Sequence, residues 1–300
     1  MPMHSDAEYK HRICRAIDFI NANLSTSPTV AEIAAAAPFS VFHFQRLFHA
    51  IVGETVADFT RRIRLETAAR HLVFRPHEDI TSLAMELGYS SSQNFAKAFR
   101  KHFDVSPTEY RQRHADSREV PRDEQETPDS AQMISASLES STSDLNVIVR
   151  SLPEVRIAYR RHFGSYNDRG VQATFDELQR WAAARQLHVD DRYLGIPWDD
   201  SDITPNDKCR FDVCLQLDDG IWPGAGMNTQ SIPAGRYAIF RCDVIQHDFD
   251  LPWTRLMRHW LPRSGYLPAD GPRFERYFSD GQLTPDGRWD IEICLPVVPL

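Results

Sequence analysis

Cysteine is sparse and its pattern is uninformative. The five residues Cys14, Cys209, Cys214, Cys242 and Cys294 are odd in number and contain no C-x-x-C pair. That argues against both a disulfide framework and a zinc knuckle, so ordinary reduced thiols are expected. Long apolar runs are also missing: nothing approaches the roughly 18 consecutive apolar residues that a bilayer span needs. The opening MPMHSDAEYK lacks the charged-then-apolar order of a secretory signal, and a cytoplasmic location is expected. No nucleophile–base motif, phosphate loop or metal-ligand cluster stands out, so no catalytic residue, metal or cofactor is expected.

Positive charge is short as well, 34 Lys and Arg against 42 Asp and Glu, a net −8. The deficit is uneven. Residues 1–115 carry 14 basic and 12 acidic side chains (+2), the remainder 20 and 30 (−10), and 8 of the 12 histidines lie in the first part. A weakly basic part beside an acidic one fits nucleic-acid contact confined to one end.

What is present reads as two folded domains. The chain has 300 residues, 42% of them hydrophobic and 25% charged, values that belong to globular proteins. Residues 116–143 (DSREVPRDEQETPDSAQMISASLESSTS) are rich in Ser, Asp, Glu and Pro and cannot bury enough surface to offset their ordering entropy, so they read as a disordered linker. It separates a domain of helical period, 1–115, from one of alternating strands, 144–300.

In the first domain Ile13, Ile17, Ile20 and Leu24 mark one face of an opening helix. Thr29-Val30-Ala31-Glu32 is a capping box for a short helix. Ser40 is then expected to cap a helix that buries Phe44, Leu47, Phe48 and Ile51. The arrangement recurs about fifty residues on: Asp79 caps, Gly88 stops, and Ser90-Ser91-Ser92-Gln93 reads as a second capping box for a helix burying Phe95 and Phe99. Thr55 to Phe74 reads as one connecting helix of about 20 residues, or about 30 Å at 1.5 Å per residue. That nearly matches the ~34 Å repeat of duplex DNA, so both second helices can enter successive major grooves.

The open side of the first such helix holds Phe42, His43, Gln45 and Arg46, and that of the second Ser92, Gln93, Asn94 and Lys97. Arg suits guanine and Gln or Asn adenine, an exposed Phe can meet a thymine methyl, and Lys97 suits guanine or a phosphate. Taken singly, each face is that of any solvated amphipathic helix. The duplication, with Gln plus a cation outward each time, is what points to double-stranded DNA as a partner.

Residues 8–114 resemble the AraC/XylS family of transcription regulators. The likeness is carried by Arg64-Leu65, Ala68, Leu72, Ile80, Ala84, Gly88-Tyr89, Phe95, Phe99, Phe103, Ser106-Pro107 and Tyr110-Arg111. It implies an all-α double helix-turn-helix domain in which Phe42, Gln45, Arg46, Ser92, Gln93 and Lys97 contact bases, with RNA polymerase as a further partner. Asp104 stands where most of the family has Gly, a position that asks for the left-handed backbone, which Asp tolerates better than most residues.

The second domain repeats itself at a shift of eighty. Pro153, Arg156, Ala158, Arg161, Cys214 and Leu215 fall on Pro233, Arg236, Ala238, Arg241, Cys294 and Leu295. Each copy reads strand, helix (about 171–185, then 251–260) and two strands, so an α+β fold is expected: a pseudo-twofold antiparallel sheet with helices on one face and a groove on the other. Alternation turns Phe211, Val213, Leu215, Ile291, Ile293 and Leu295 to the helices and Asp212 and Glu292 to that groove. Aromatic residues near in sequence, Tyr166 and Trp198 among them, then give walls for a lipophilic cation.

Residues 144–300 resemble the GyrI-like effector-binding domain, through Arg161-His162-x-Gly164-x-Tyr166, Pro233-Ala234-Gly235-x-Tyr237, Trp260-Leu261-Pro262-x-Ser264-Gly265-Tyr266, Pro272-x-Phe274-Glu275 and Glu292-x-x-Leu295-Pro296-Val297. The resemblance implies a small-molecule effector that meets Glu292, with Tyr166 and Trp198 as further candidates; Asp212, the match of Glu292 in the repeat, is a candidate from its facing alone. The whole reads as a regulator with no membrane partner. The alternatives are a hydrolase that uses Glu292 and Tyr166 as acid and base, or a protein-binding module of the gyrase-inhibitor kind.

Overall fold

Helical caps set the boundaries of the first half. The computed structural model describes residues 3–116, 145–187, 189, 192–224, 226–245, 248–279 and 287–300. The expected linker, 116–143, lies outside these but for Asp116. The N-terminal helices are α1 (Met3–Ala22), α2 (Val30–Ala36), α3 (Val41–Val52), α4 (Val56–Phe74), α5 (Ile80–Glu86), α6 (Ser92–Phe103) and α7 (Pro107–Asp116). Thr29 and Glu32 close the capping box of α2, the Glu32 amide donating to Thr29 Oγ1 at 3.3 Å and the Thr29 amide to Glu32 at 2.7 Å. Thr55 and Asp79 cap α4 and α5 through the amides of Asp58 and Ser82.

Two expected caps differ. Ser40 holds the N-cap backbone conformation of α3 but makes no side-chain bond, leaving that helix to its buried Phe44 and Phe48. Ser91 caps α6, accepting from the Asn94 amide at 3.2 Å, and Asn94 in turn donates to Ser90 Oγ at 2.9 Å. With Asn rather than Gln or Glu at that third helical position, the reciprocal half of a capping box is missing. Asp104 ends α6 in the left-handed region at φ 61°.

Each helix-turn-helix has its own aromatic core. Phe44, Phe48 and Phe59 stack edge-to-face at 5.5 and 5.4 Å, and Phe95, Phe99 and Tyr110 do so at 5.6 and 5.4 Å. Such pairs contribute ~0.5–1.5 kcal/mol each beyond their buried area. α4 spans both cores, with Phe59 and Ile63 in one and Leu65, Ala68 and Leu72 in the other.

The second half is a curled antiparallel sheet. Its elements are β1 (Val147–Leu152), β2 (Val155–Phe163), α8 (Arg169–Ala183), β3 (Tyr193–Pro197), β4 (Arg210–Gln216), β5 (Asn228–Ile232), β6 (Gly235–Ile245), α9 (Asp250–Arg255), β7 (Tyr266–Pro268), β8 (Phe274–Tyr277) and β9 (Arg288–Pro299). A π turn, Leu256–Trp260, continues α9, where a single α-helix was expected. The strand order is β1-β6-β9-β8-β3-β4-β2-β5, with β7 on β9. Adding eighty to Tyr159↔Cys214 gives the observed Ile239↔Cys294, and adding it to Leu194↔Cys214 gives Phe274↔Cys294.

The expected facing of the strands holds. Phe211, Val213 and Leu215 pack with Leu178 and Ala182 of α8, while Ile291, Ile293 and Leu295 pack with Leu256 and Trp253. The opposite face is no open groove. Tyr159, Ile196, Cys214, Tyr237, Phe274 and Cys294 form a core there that includes Cys14 of α1. Further apolar side chains cross between the halves: Phe163 joins the first helical core, Ile203 the second, and Phe74 of α4 the cluster around Trp253 and Met257.

Candidate DNA face and effector cavity

α3 and α6 present their predicted residues outward. Phe42, His43, Gln45 and Arg46 are exposed, as are Gln93, Asn94 and Lys97, while Ser92 at the start of α6 is half-buried. Phe42 is 68% exposed and the Arg46 guanidinium sits 5.7 Å from its ring centroid. The His43 ring lies beside it, centroids 6.4 Å apart, and a ring of that exposure still leaves apolar area for a partner.

A cavity of about 1090 Å³ lies on the helix side of the sheet, between α8 and α9. Its lining includes Phe211, Tyr277 and Trp289 from the strands, Phe175 from α8, and Trp253 from α9. At its floor is Glu275, 3% exposed, accepting from Trp253 Nε1 at 2.8 Å and from the Tyr277 hydroxyl at 2.5 Å. Burial pushes the Glu275 carboxyl above its ordinary range, against the pull of these two donors. The same burial, with the neighbouring carboxylate, raises Tyr277 well above an ordinary phenol.

Of the four residues predicted for the effector, the lining includes Tyr166 alone; its hydroxyl donates to the Asp199 carbonyl at 2.8 Å. Glu292 points to the opposite face, beside its cross-strand neighbour Arg276 at 3.2 Å. Asp212 is fully buried on that face too, clamped by Arg161 at 2.6 and 2.7 Å, by Trp198 Nε1 at 2.7 Å and by Gln230 at 3.1 Å. Trp198 is thereby committed to Asp212 rather than to the cavity. The expected facing of these strands holds, but Cys14 of α1 packs on the face expected to be open, and the cavity lies between the two helices on the other.

Glu275 was quoted in the sequence motif and passed over. The signal was available in the short strand Phe274-Glu275-Arg276-Tyr277, whose alternation puts Glu275 and Tyr277 on one side. His71, Glu78 and Glu86 were also missed; they bring one nitrogen and two carboxylates within 4.8 Å. His71 already lies against Glu78 at 3.1 Å and Asp270 at 3.4 Å, one carboxylate at each ring nitrogen. Bonds from His71 and Arg75 hold Asp270 well below the usual carboxylate range. Among the described residues no helix is long and apolar enough to cross a membrane.

Comparison with known proteins agrees with both halves. The profile of the GyrI-like small molecule binding domain matches residues 145–298, and that of a helix-turn-helix domain matches residues 33–113. The prophage-derived YosT of Bacillus subtilis, by name a candidate transcriptional regulator, is 28% identical over 156 residues, covering 52% of this chain and 99% of its own. A DNA gyrase inhibitor of Yersinia enterocolitica is 33% identical over 150 residues, covering 49% of this chain and 92% of its own. A solved AraC-type regulator from Chromobacterium violaceum is similar at 25% identity and a TM-score of 0.33, covering 35% of this chain and 92% of that one. The chain belongs to the family of the GyrI-like small molecule binding domain, here joined to an AraC-type helix-turn-helix domain, and is an effector-binding transcriptional regulator.

Proposed function

We propose that α3 and α6 read a promoter through Phe42, His43, Gln45, Arg46, Ser92, Gln93, Asn94 and Lys97, and that the cavity over Glu275 takes a small effector with a cationic and an aromatic part. The observation that carries the effector class is the carboxylate itself. It is nearly sealed from water, its oxygens are held by neutral donors, and aromatic side chains, Phe175, Phe211, Trp253, Tyr277 and Trp289 among them, line the cavity with it. Low local dielectric strengthens its pull on a cation, and the rings add their own attraction for one. Titration of the full chain with tetraphenylphosphonium in a calorimeter tests this. Binding that Glu275→Gln weakens while a neutral triaryl analogue is unaffected supports the reading, and equal affinity of wild type and variant removes it.

We further infer a cytoplasmic regulator whose domains run 1–115 and 144–300 about a linker at 116–143, with RNA polymerase as the partner at the promoter. Binding without turnover is the reading we favour for the cavity. The close pairing of Glu275 with the Tyr277 hydroxyl is also what acid–base chemistry on a reactive small molecule would use. Chromatography of the effector after prolonged incubation separates the two: recovered intact, it is a ligand, and converted, it is a substrate.

A further inference from the structure

We propose that the effector site is composite, with α4 and α7 of the DNA-binding domain supplying ligand-contacting side chains, Val73, Phe74 and His114, so that an occupant is held between the two domains. This rests on the effector reading above, and extends it from one domain to both.

The cavity lining supports it directly: Arg70, Val73 and Phe74 from the last turns of α4, and Tyr110 and His114 from α7, stand with the sensing-domain residues. Phe74 packs on the cluster that contains Trp253 and Met257, the two α9-side walls of the cavity. His114 stacks on Tyr110, ring centroids 4.3 Å apart, and its Nδ1 bonds the Tyr110 carbonyl at 2.9 Å, so the pair forms a flat edge fixed to α7. Arg75, one residue past α4, bonds Asp270 at 3.0 Å, and Asp270 precedes Glu275 by five residues. The end of α4 is therefore tied to the segment that brings the floor carboxylate into place.

α4 also sets the separation of the two recognition helices, because its length bridges both helical cores. A ligand touching its last turns bears on the element that spaces the reading heads. Any difference in ligand affinity between DNA-bound and free arrangements is matched by an equal difference in DNA affinity.

The test uses the full chain with two probes, tetraphenylphosphonium and neutral triphenylphosphine oxide, and the variants Phe74→Leu, His114→Ala and Glu275→Gln, each checked for folding by far-ultraviolet circular dichroism. Losing one aromatic contact is expected to weaken both probes about 3- to 10-fold in Phe74→Leu and His114→Ala. Hydrogen exchange of wild type should slow in residues 70–74 and 107–116 when either probe is added. Wild-type affinity in both variants, or unchanged exchange there, would place the site in the sensing domain alone. Weakening by Phe74→Leu with no effect of Glu275→Gln would keep the composite site and remove the cation. Failure of both probes to bind wild type would remove both readings.

Discussion

Gly195 and Glu275 are cross-strand partners at the point where the two halves of the sensing sheet meet. They are also eighty residues apart, so the internal symmetry exchanges one with the other and its twofold axis runs between them. A side chain on each would put two bulky groups at one spot. Here one copy has none: a Cβ on Gly195 would meet the Tyr277 hydroxyl and the Phe211 ring well inside van der Waals distance. The absence of that Cβ lets Tyr277 reach Glu275 and keeps the cavity floor open.

Gly195→Ala is accordingly expected to push Tyr277 and Phe211 aside, with a stability loss of about 1–3 kcal/mol, the usual cost of overpacking. The lost hydrogen bond should also weaken probe binding. Thermal melts and calorimetry on the same preparation measure both effects. An alanine variant with unchanged melting and unchanged affinity would show that the floor relaxes freely.

Glu275 gives opposite signs to two pH dependences. Its pKa lies above the ordinary 4.5 because burial disfavours the charge. Between 4.5 and the raised value the native state therefore binds more protons than the unfolded one, and this residue's contribution to stability rises as pH falls through that window. Cation binding needs the charged form, so probe affinity should fall over the same window. Glu275→Gln is expected to flatten both trends, whereas Glu292→Gln, on the far face beside Arg276, should leave probe affinity unchanged.

How far the sequence could be read follows from which interactions are local. The helix-turn-helix units were legible because caps and apolar spacing act within a few residues, as at Thr29–Glu32 and in the Phe44–Phe48 pair. The facing of β4 and β9 was legible because alternation has a period of two. What covers each face is a long-range matter. Nothing within β4 says that Cys14 of α1 closes the side toward which Asp212 points, so Asp212 and Glu292 were assigned to a groove that α1 and the ion pairs occupy. Alternation in the four-residue strand of Glu275 pairs it with Tyr277 on one side, but whether that side is walled into a cavity depends on α8 and α9, and its partner across the axis, Gly195, has no side chain to mark the spot in the repeat.

Arg46 sits on the exposed turn of α3 with its guanidinium near Phe42. If the pair meets a guanine and a neighbouring thymine methyl, Arg46→Ala should cost about 1–3 kcal/mol of DNA affinity and relax preference at one base pair. Lys97→Ala should instead weaken all sequences alike and lower the salt slope by about 1, should it contact a phosphate. Selection from a randomised duplex library, followed by titration at several salt concentrations, reads all four quantities. Unchanged preference and affinity in the Arg46 variant would take α3 away from the bases.

The two halves are joined by a buried charge network as well as by apolar contacts, and its centre is Arg161. Its guanidinium bonds Asp212 within the sheet and reaches Asp18 of α1 at 3.0 Å, and Tyr159 donates its hydroxyl to the same Asp18. Removing either partner of Arg161 has different consequences because their burial differs. Asp18 is partly exposed, so Asp18→Ala leaves Arg161 still neutralised by Asp212 and should loosen only the docking of α1. Arg161→Ala leaves Asp212 fully buried, with Trp198 and Gln230 as its remaining side-chain donors among the described residues, and truncations of that kind typically cost ~3–5 kcal/mol. Asp212 already lies above its ordinary pKa through burial, and losing Arg161 removes the main opposing pull, so in that variant it should take up a proton more readily and regain part of the loss on acidification. Limited proteolysis of Asp18→Ala should therefore show separation of the halves at wild-type melting temperature of the sensing domain, whereas Arg161→Ala should lower that temperature, less so at acid pH. Equal melting of both variants at neutral pH would place the stability of this face in its apolar core and not in the ion pair.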